Sequence, residues 1–290
     1  VKLALAAAVV AGAASVAAQA PPDVEAILAR VGERIAEYYS RAQSVVCTEK
    51  QVVQQITRDY SPTGFARTTE YELHVESEEG SDDGHPADAK VVRELLKVNG
   101  RAPRDRDAKR PEGCTDGNPL SPEPLAFLLP AHRGEYVFSS AGPGKGRDRD
   151  TFVIEFRALK AEGQGVLAES ANGHEDCFSW ASPVVTRGKV WVDARTYHVV
   201  RIEQGQATAA EVKVPWELQR KHRLENHMIV ERDETVIRYK RVPFNDPEET
   251  LLLPESIETL LVVRGNLESI RRQEKFSDYR RFVTAARVVK

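Results

Sequence analysis

Past residue 20 the sequence has no apolar run of about 18 residues, so nothing there spans a bilayer as a helix. It has no strong charge of one sign either. Its 41 Lys+Arg stand against 44 Asp+Glu, and a net charge of -3 gives no electrostatic case for a nucleic-acid partner. With 18 Gly and 16 Pro in 290 residues, collagen-like and low-complexity classes are excluded. Catalytic signatures are missing as well: there is no G-x-S-x-G, no H-E-x-x-H, no G-x-x-x-x-G-K-[ST] and no C-x-x-C. Gly142-Pro143-Gly144-Lys145-Gly146 lacks the spacing, the Ser/Thr and the helix of a phosphate loop, and reads as a hairpin tip. His174-Glu175-Asp176-Cys177 holds four ligand types, but contiguous ligands do not converge on one ion without a turn. The remaining His are scattered, and His198 falls within a strand pattern. No catalytic residue, metal site or cofactor is expected.

What is present is a soluble, globular composition, 41% hydrophobic and 29% charged, long enough for one large or two ordinary domains. The first twenty residues differ from the rest. Lys2 precedes a small, apolar run from Leu3 to Ala18, then Ala18-Gln19-Ala20 supplies an A-x-A site and Pro21-Pro22 stop any helix. Residues 1–20 therefore read as a signal peptide cut before Pro21. Residues 21–290 become an exported, soluble product, most simply periplasmic. Export makes Cys47, Cys114 and Cys177 candidates for a disulfide. Three pairings are possible. Cys114 and Cys177 lie in polar loop contexts and are the favoured pair, while Cys47 lies in Val45-Val46-Cys47-Thr48, a strand context that suits a buried thiol.

From Asp23 to Arg41 apolar residues recur at Val24, Ile27, Leu28, Val31, Ile35 and Tyr38, the stripe of an amphipathic helix with Asp23 at its N-cap. The period then changes. Segments 45–56, 67–76, 91–98, 135–140, 151–157, 188–193, 197–203, 226–231, 235–241, 256–264 and 267–279 read as strands. Asn99-Gly100 is a type I′ hairpin turn, and Arg232-Asp233-Glu234 reads as another tight link. Residues 78–88 and 101–110 are acidic and basic solvated loops. Ser121 to Pro130 forms a second, short helix, whose Leu125, Phe127, Leu128 and Leu129 are too apolar to face water. Short links between consecutive strands imply antiparallel meanders: a large, strongly curved antiparallel sheet with a helix packed on it.

Gly188-Lys189-Val190-Trp191-Val192-Asp193, returning as Val199-Val200-Arg201-Ile202, resembles a hairpin of the periplasmic lipoprotein-carrier (LolA-like) superfamily. Leu253-Pro254-Glu255-Ser256 is similar to that family's turn with Pro before a strand. Phe276-Ser277-Asp278-Tyr279-Arg280-Arg281-Phe282 is similar to a late strand of outer-membrane lipoprotein-sorting proteins. The resemblance implies a mainly β (α+β) fold over 21–290, an unclosed antiparallel half-barrel with an N-terminal helix and a short plug helix. It also implies a non-catalytic binder or carrier of a hydrophobic ligand, acyl chain or lipoprotein, lined by Leu125, Phe127, Leu128, Leu129, Trp191, Val199 and Val200. Side chains alternate along a strand, so Val199 and Val200 cannot both face inward. Insertions around 78–90, 101–120 and 205–223 keep a second reading open: an envelope interaction or regulatory module on the same fold, without cargo.

Overall fold

The computed structural model describes residues 23–41, 45–77, 89–104, 123–145, 148, 150–169, 178–245 and 248–281. The expected signal peptide, the Cys114–Cys177 pair, the acidic 78–88 segment and the Ser121-Pro122 cap lie outside these residues.

Helix α1 (Val24–Arg41) forms where its apolar stripe requires. Asp23 caps it twice: Oδ1 accepts the Glu25 N–H at 3.1 Å and the main-chain oxygen accepts the Ile27 N–H at 3.1 Å. Ile27, Leu28, Val31 and Ile35 are buried. Strands β1 (Val45–Ile56), β2 (Pro62–Ser77) and β3 (Ala89–Val98) follow as a meander. At its end Asn99 and Gly100 take φ of 48° and 76°, the positive pair that a type I′ turn needs. Helix α2 (Glu123–Ala126) and a 3₁₀ turn (Arg133–Glu135) lead into β4 (Tyr136–Pro143) and β5 (Thr151–Ala158). Then come β6 (Ala168–Glu169), β7 (Phe178–Ser179), β8 (Thr186–Asp193), β9 (Val199–Gln206), β10 (Ala210–Lys213) and α3 (Trp216–His222). The long strands β11 (His227–Asn245), β12 (Glu248–Arg264) and β13 (Ser269–Arg281) end the described chain.

Eleven strands make one antiparallel sheet in the order β3-β2-β1-β13-β12-β11-β9-β8-β5-β4, with β10 added beside β11. β3 and β4 are its opposite edges and do not meet, so the sheet is an unclosed half-barrel. Helix α1 touches both edge strand β4 and central strand β12, which places it inside the bend. Tyr38 joins two apolar clusters there, one around Leu28 and one around Val45, Phe244 and Leu253.

Three expectations are corrected. Arg232-Asp233-Glu234 is not a turn: β11 runs unbroken for 19 residues through it. A bulge between Val230 and Arg232 resets which side chains face inward, so a charged triplet can sit mid-strand. Leu253-Pro254 is not a turn before a strand, since Pro254 pairs with Tyr239 well inside β12. A register shift beside that pair disrupts the ladder where Pro can donate nothing, and the Tyr279 hydroxyl donates to its carbonyl at 2.6 Å. Finally, 205–223 is not only loop. It carries β10 and α3, and Val212, Val214 (between them) and Leu218 are buried in a cluster of their own with Leu167, Met228, Val230 and Val263.

Candidate functional site

The antiparallel register defines rows of side chains on the face that carries α1. Ile154, Val190, Ile202, Ile237 and Ile257 are paired neighbours across five strands, and the row continues as Glu274, Gln51 and Thr69. Ile154, Val190 and Ile202 are covered by Leu28, Val31 and Ile35 of α1 and by Leu125, Phe127 and Leu128 of the plug around α2, while Ile237 and Ile257 pack with Cys47, Tyr71, Leu73 and Phe276. Each such side chain contributes on the order of 1.5–3 kcal/mol by leaving water.

Arg133 ties the two covers together. Its Nε donates to the Leu128 carbonyl at 2.8 Å and its Nη2 donates to the Leu28 carbonyl. Burial pushes this guanidinium below its usual pKa, with the Glu25 carboxylate opposing.

One step along the strands the chemistry changes. The next row reads Phe156, Gly188, Gln204, Thr235, Thr259 and Arg272. Gly188 is required, because a Cβ there would lie 2.0 Å from the Glu203 carbonyl oxygen and 2.7 Å from Cζ of Phe156. The Phe156 ring lies across the vacant position. Beyond this polar row begins the cluster of Leu167, Met228 and Val263, also on the inner face.

Between the two apolar clusters lies a cleft of about 510 Å³. Phe127, Tyr136 and Phe156 wall it on the plug side, and Phe178 and Trp180 on the other. The Phe127 ring centroid is 4.5 Å from that of Phe156 and 5.3 Å from that of Tyr136, close enough for aromatic contact. Gln204, Gln206, Thr235 and Asp233 form the floor. Burial raises the Asp233 carboxyl above the ordinary range and Glu162 adds to the rise, while Arg272 opposes it. Glu162 stands at the rim, where its carboxylate accepts the Ser182 N–H and the Thr186 hydroxyl, each at 3.5 Å.

The polar half of the isoleucine row is internally paired. Gln51 Nε2 donates to Glu274 Oε1 at 3.3 Å, and in the adjacent row Arg93 Nε donates to the wholly buried Glu49 at 3.1 Å. Burial raises the Glu274 carboxyl, against Arg272 and Arg93.

The structure brings Leu125, Phe127, Leu128, Leu129 and Val199 into one cluster, with Leu129 half-buried and the others buried. Val200 is half-buried and sits at a register shift, Trp191 pairing with Arg201 and Val192 with Val199. Trp191 points the other way, between the inward Val190 and Val192, and the Arg201 guanidinium lies 4.4 Å from its ring centroid. Of these seven residues only Phe127 reaches the cleft. Gln204, Thr235 and Asp233 carry no sequence signal, since a polar residue in a strand pattern reads as outward-facing.

Among the described residues one group has metal-ligand types within reach of each other, Glu72, His74 and Glu94, with ligand atoms within 4.8 Å. Glu72 is already held by His74 Nε2 at 2.9 Å and by Arg280. No helix among the described residues is long and apolar enough to cross a membrane.

No family model matches the chain, and no curated protein does. Two solved structures are similar to it. A LolA superfamily protein from Nitrosomonas europaea shares 10% identity, covering 88% of this chain and 94% of that one, at a TM-score of 0.35. An outer membrane lipoprotein-sorting protein domain from Vibrio parahaemolyticus shares 11%, covering 92% and 95%, at 0.36. At that distance neither likeness assigns this chain a family, a ligand or a partner.

Proposed function

We propose that residues 21–290 form an exported, periplasmic, non-catalytic domain that binds a hydrophobic ligand on the inner face of the half-barrel. The observation that carries this reading is the cleft beside Phe127, where aromatic side chains from two separate cores flank a polar floor that lies one row from the buried isoleucine row. Small-ligand pockets combine apolar walls with placed polar groups, and this cleft joins aromatic walls to a polar floor and rim. The plug supports it. Leu125, Phe127, Leu128 and Leu129 sit on the sheet through side chains, with no ladder hydrogen bonds to break, so a ligand chain can take their place along Val199 and the isoleucine row. Val200 lies beside this path, whereas Trp191 is on the opposite face of the sheet and does not line it.

Residues 3–20 support export by their apolar run and A-x-A site. A carrier reading adds that the ligand, an acyl chain or a lipoprotein, is handed on. The test is to extract the purified exported chain with organic solvent, identify bound material by mass spectrometry, and titrate the stripped protein with 1-anilinonaphthalene-8-sulfonate and a pyrene-labelled alcohol. We expect co-purified amphiphile and saturable binding of the alcohol. Absence of both would favour an interaction module without cargo.

A further inference from the structure

We propose that the ligand presents a cationic, amine-type head to this cleft, so that the preferred occupant is a long-chain amine rather than a fatty acid or another anionic lipid. This rests on the hydrophobic-ligand reading and adds the chemistry of the head group.

Three features of the cleft carry it. Its acidic and basic lining consists of Glu135, Glu162, Asp233 and His132, with the Tyr136 phenol beside them, and among the described residues neither lysine nor arginine lines it. A carboxylate or phosphate head would meet like charge there, from the half-buried Asp233 on the floor and from Glu135 and Glu162 exposed at the rim. The carboxylate of Glu162 is also oriented, accepting from Ser182 and Thr186 on one side of the opening. Asp233 faces it from β11, on the floor. Burial first and then Glu162 raise its pKa, against the resident Arg272, and a bound cation would act in the same direction as Arg272. The walls are aromatic on both sides, with Phe127, Tyr136 and Phe156 opposite Phe178 and Trp180, and ring faces attract an alkylammonium group. The row next to Gln204 and Thr235 holds Ile202 and Ile237, both buried, which a tail would reach by displacing the plug.

The test compares three ten-carbon ligands that differ only in the head: decylamine, decanol and decanoate. Each is titrated at pH 7 and low salt into the full stripped chain by calorimetry. We expect decylamine to bind at least tenfold more tightly than decanoate. We expect that ratio to fall at least fivefold in Glu162→Gln and in Asp233→Asn, with thermal melts confirming that both variants fold. Decanoate binding as tightly as decylamine, or a ratio unmoved in folded Glu162→Gln, overturns the amine assignment while leaving the hydrophobic-ligand reading intact. Failure of all three ligands to bind overturns both.

Discussion

A Cβ on residue 32 would lie 2.4 Å from Nη2 of Arg133, so Gly32 of α1 is the socket that admits the Arg133 guanidinium. The contact joins helix and plug into one cover. Arg133→Met should remove two charge-assisted hydrogen bonds to carbonyls and lower stability by about 2 kcal/mol. Gly32→Ala gains about 1 kcal/mol of helix propensity but displaces the guanidinium, so its net change should be smaller. Hydrogen exchange should separate the two effects, because both variants should lose protection at residues 125–133 whatever their melting temperatures.

The plug makes a second contrast. Leu128 is wholly buried, whereas Phe127 borders the cleft. Leu128→Ala should cost about 2–5 kcal/mol, and Phe127→Ala should fall below the ~3–5 kcal/mol typical of an enclosed phenylalanine. Urea denaturation checks the order. A Phe127→Ala cost at the top of that range would mean that the ring is packed as core.

Cys47 is buried, and burial, with Glu49 next in importance, pushes its thiol up to about 12 against the opposing Tyr279 hydrogen bond, Lys240 and Arg280. It should resist iodoacetamide in the native protein and react once unfolded. With the expected Cys114–Cys177 bridge, denatured but unreduced protein should titrate as one thiol, and reduced protein as three.

His198 gives a pH dependence. Burial lowers its pKa first, then Arg34 of α1 and Arg241 of β11, while Glu37 and Asp193 oppose. Above the ordinary value of about 6.5 both folded and unfolded forms are neutral and the group contributes nothing. As pH falls below that value the unfolded chain takes the proton first, so stability declines until the lowered folded value is passed. Asp233 and Glu274, raised by burial, act in the opposite sense as pH falls towards their folded values. His198→Gln should therefore flatten the loss of melting temperature between pH 7 and 5. An unchanged slope would remove His198 as its source.

Local signals were legible in the sequence, and assembled ones were not. The stripe from Val24 to Tyr38, the strand-forming composition of β1 and the Asn99-Gly100 turn are each decided by neighbours a few residues apart, and each stands where the sequence put it. Arg232-Asp233-Glu234 misled because three charges in a row break strand alternation. Their meaning depends on a bulge at Glu231 and on a polar floor formed with Gln204 of another strand. The second core escaped for the same reason. Leu167, Val212, Leu218 and Val263 are scattered over nearly a hundred residues and share no period. In the cleft, Phe127 showed itself through the density of its apolar neighbours, but Asp233 and Thr235 could be recognised as inward-facing only from the register.

The strand order also constrains how the chain folds. β1 lies between β2 and β13, with Val46 opposite Arg280 and Ile56 opposite Ser269. The β4–β5, β8–β9 and β11–β12–β13 hairpins form between segments close in sequence, but the opening meander must wait for the final strand. Pairings at such separation form slowly, because most of the chain's freedom is lost before they are made. Until then Cys47, Tyr71 and Leu73 lack the Phe276 and Ile257 side chains that cover them in the folded protein. An incomplete chain thus presents an apolar three-stranded edge, and the first strands of this sheet are the last to become safe from aggregation.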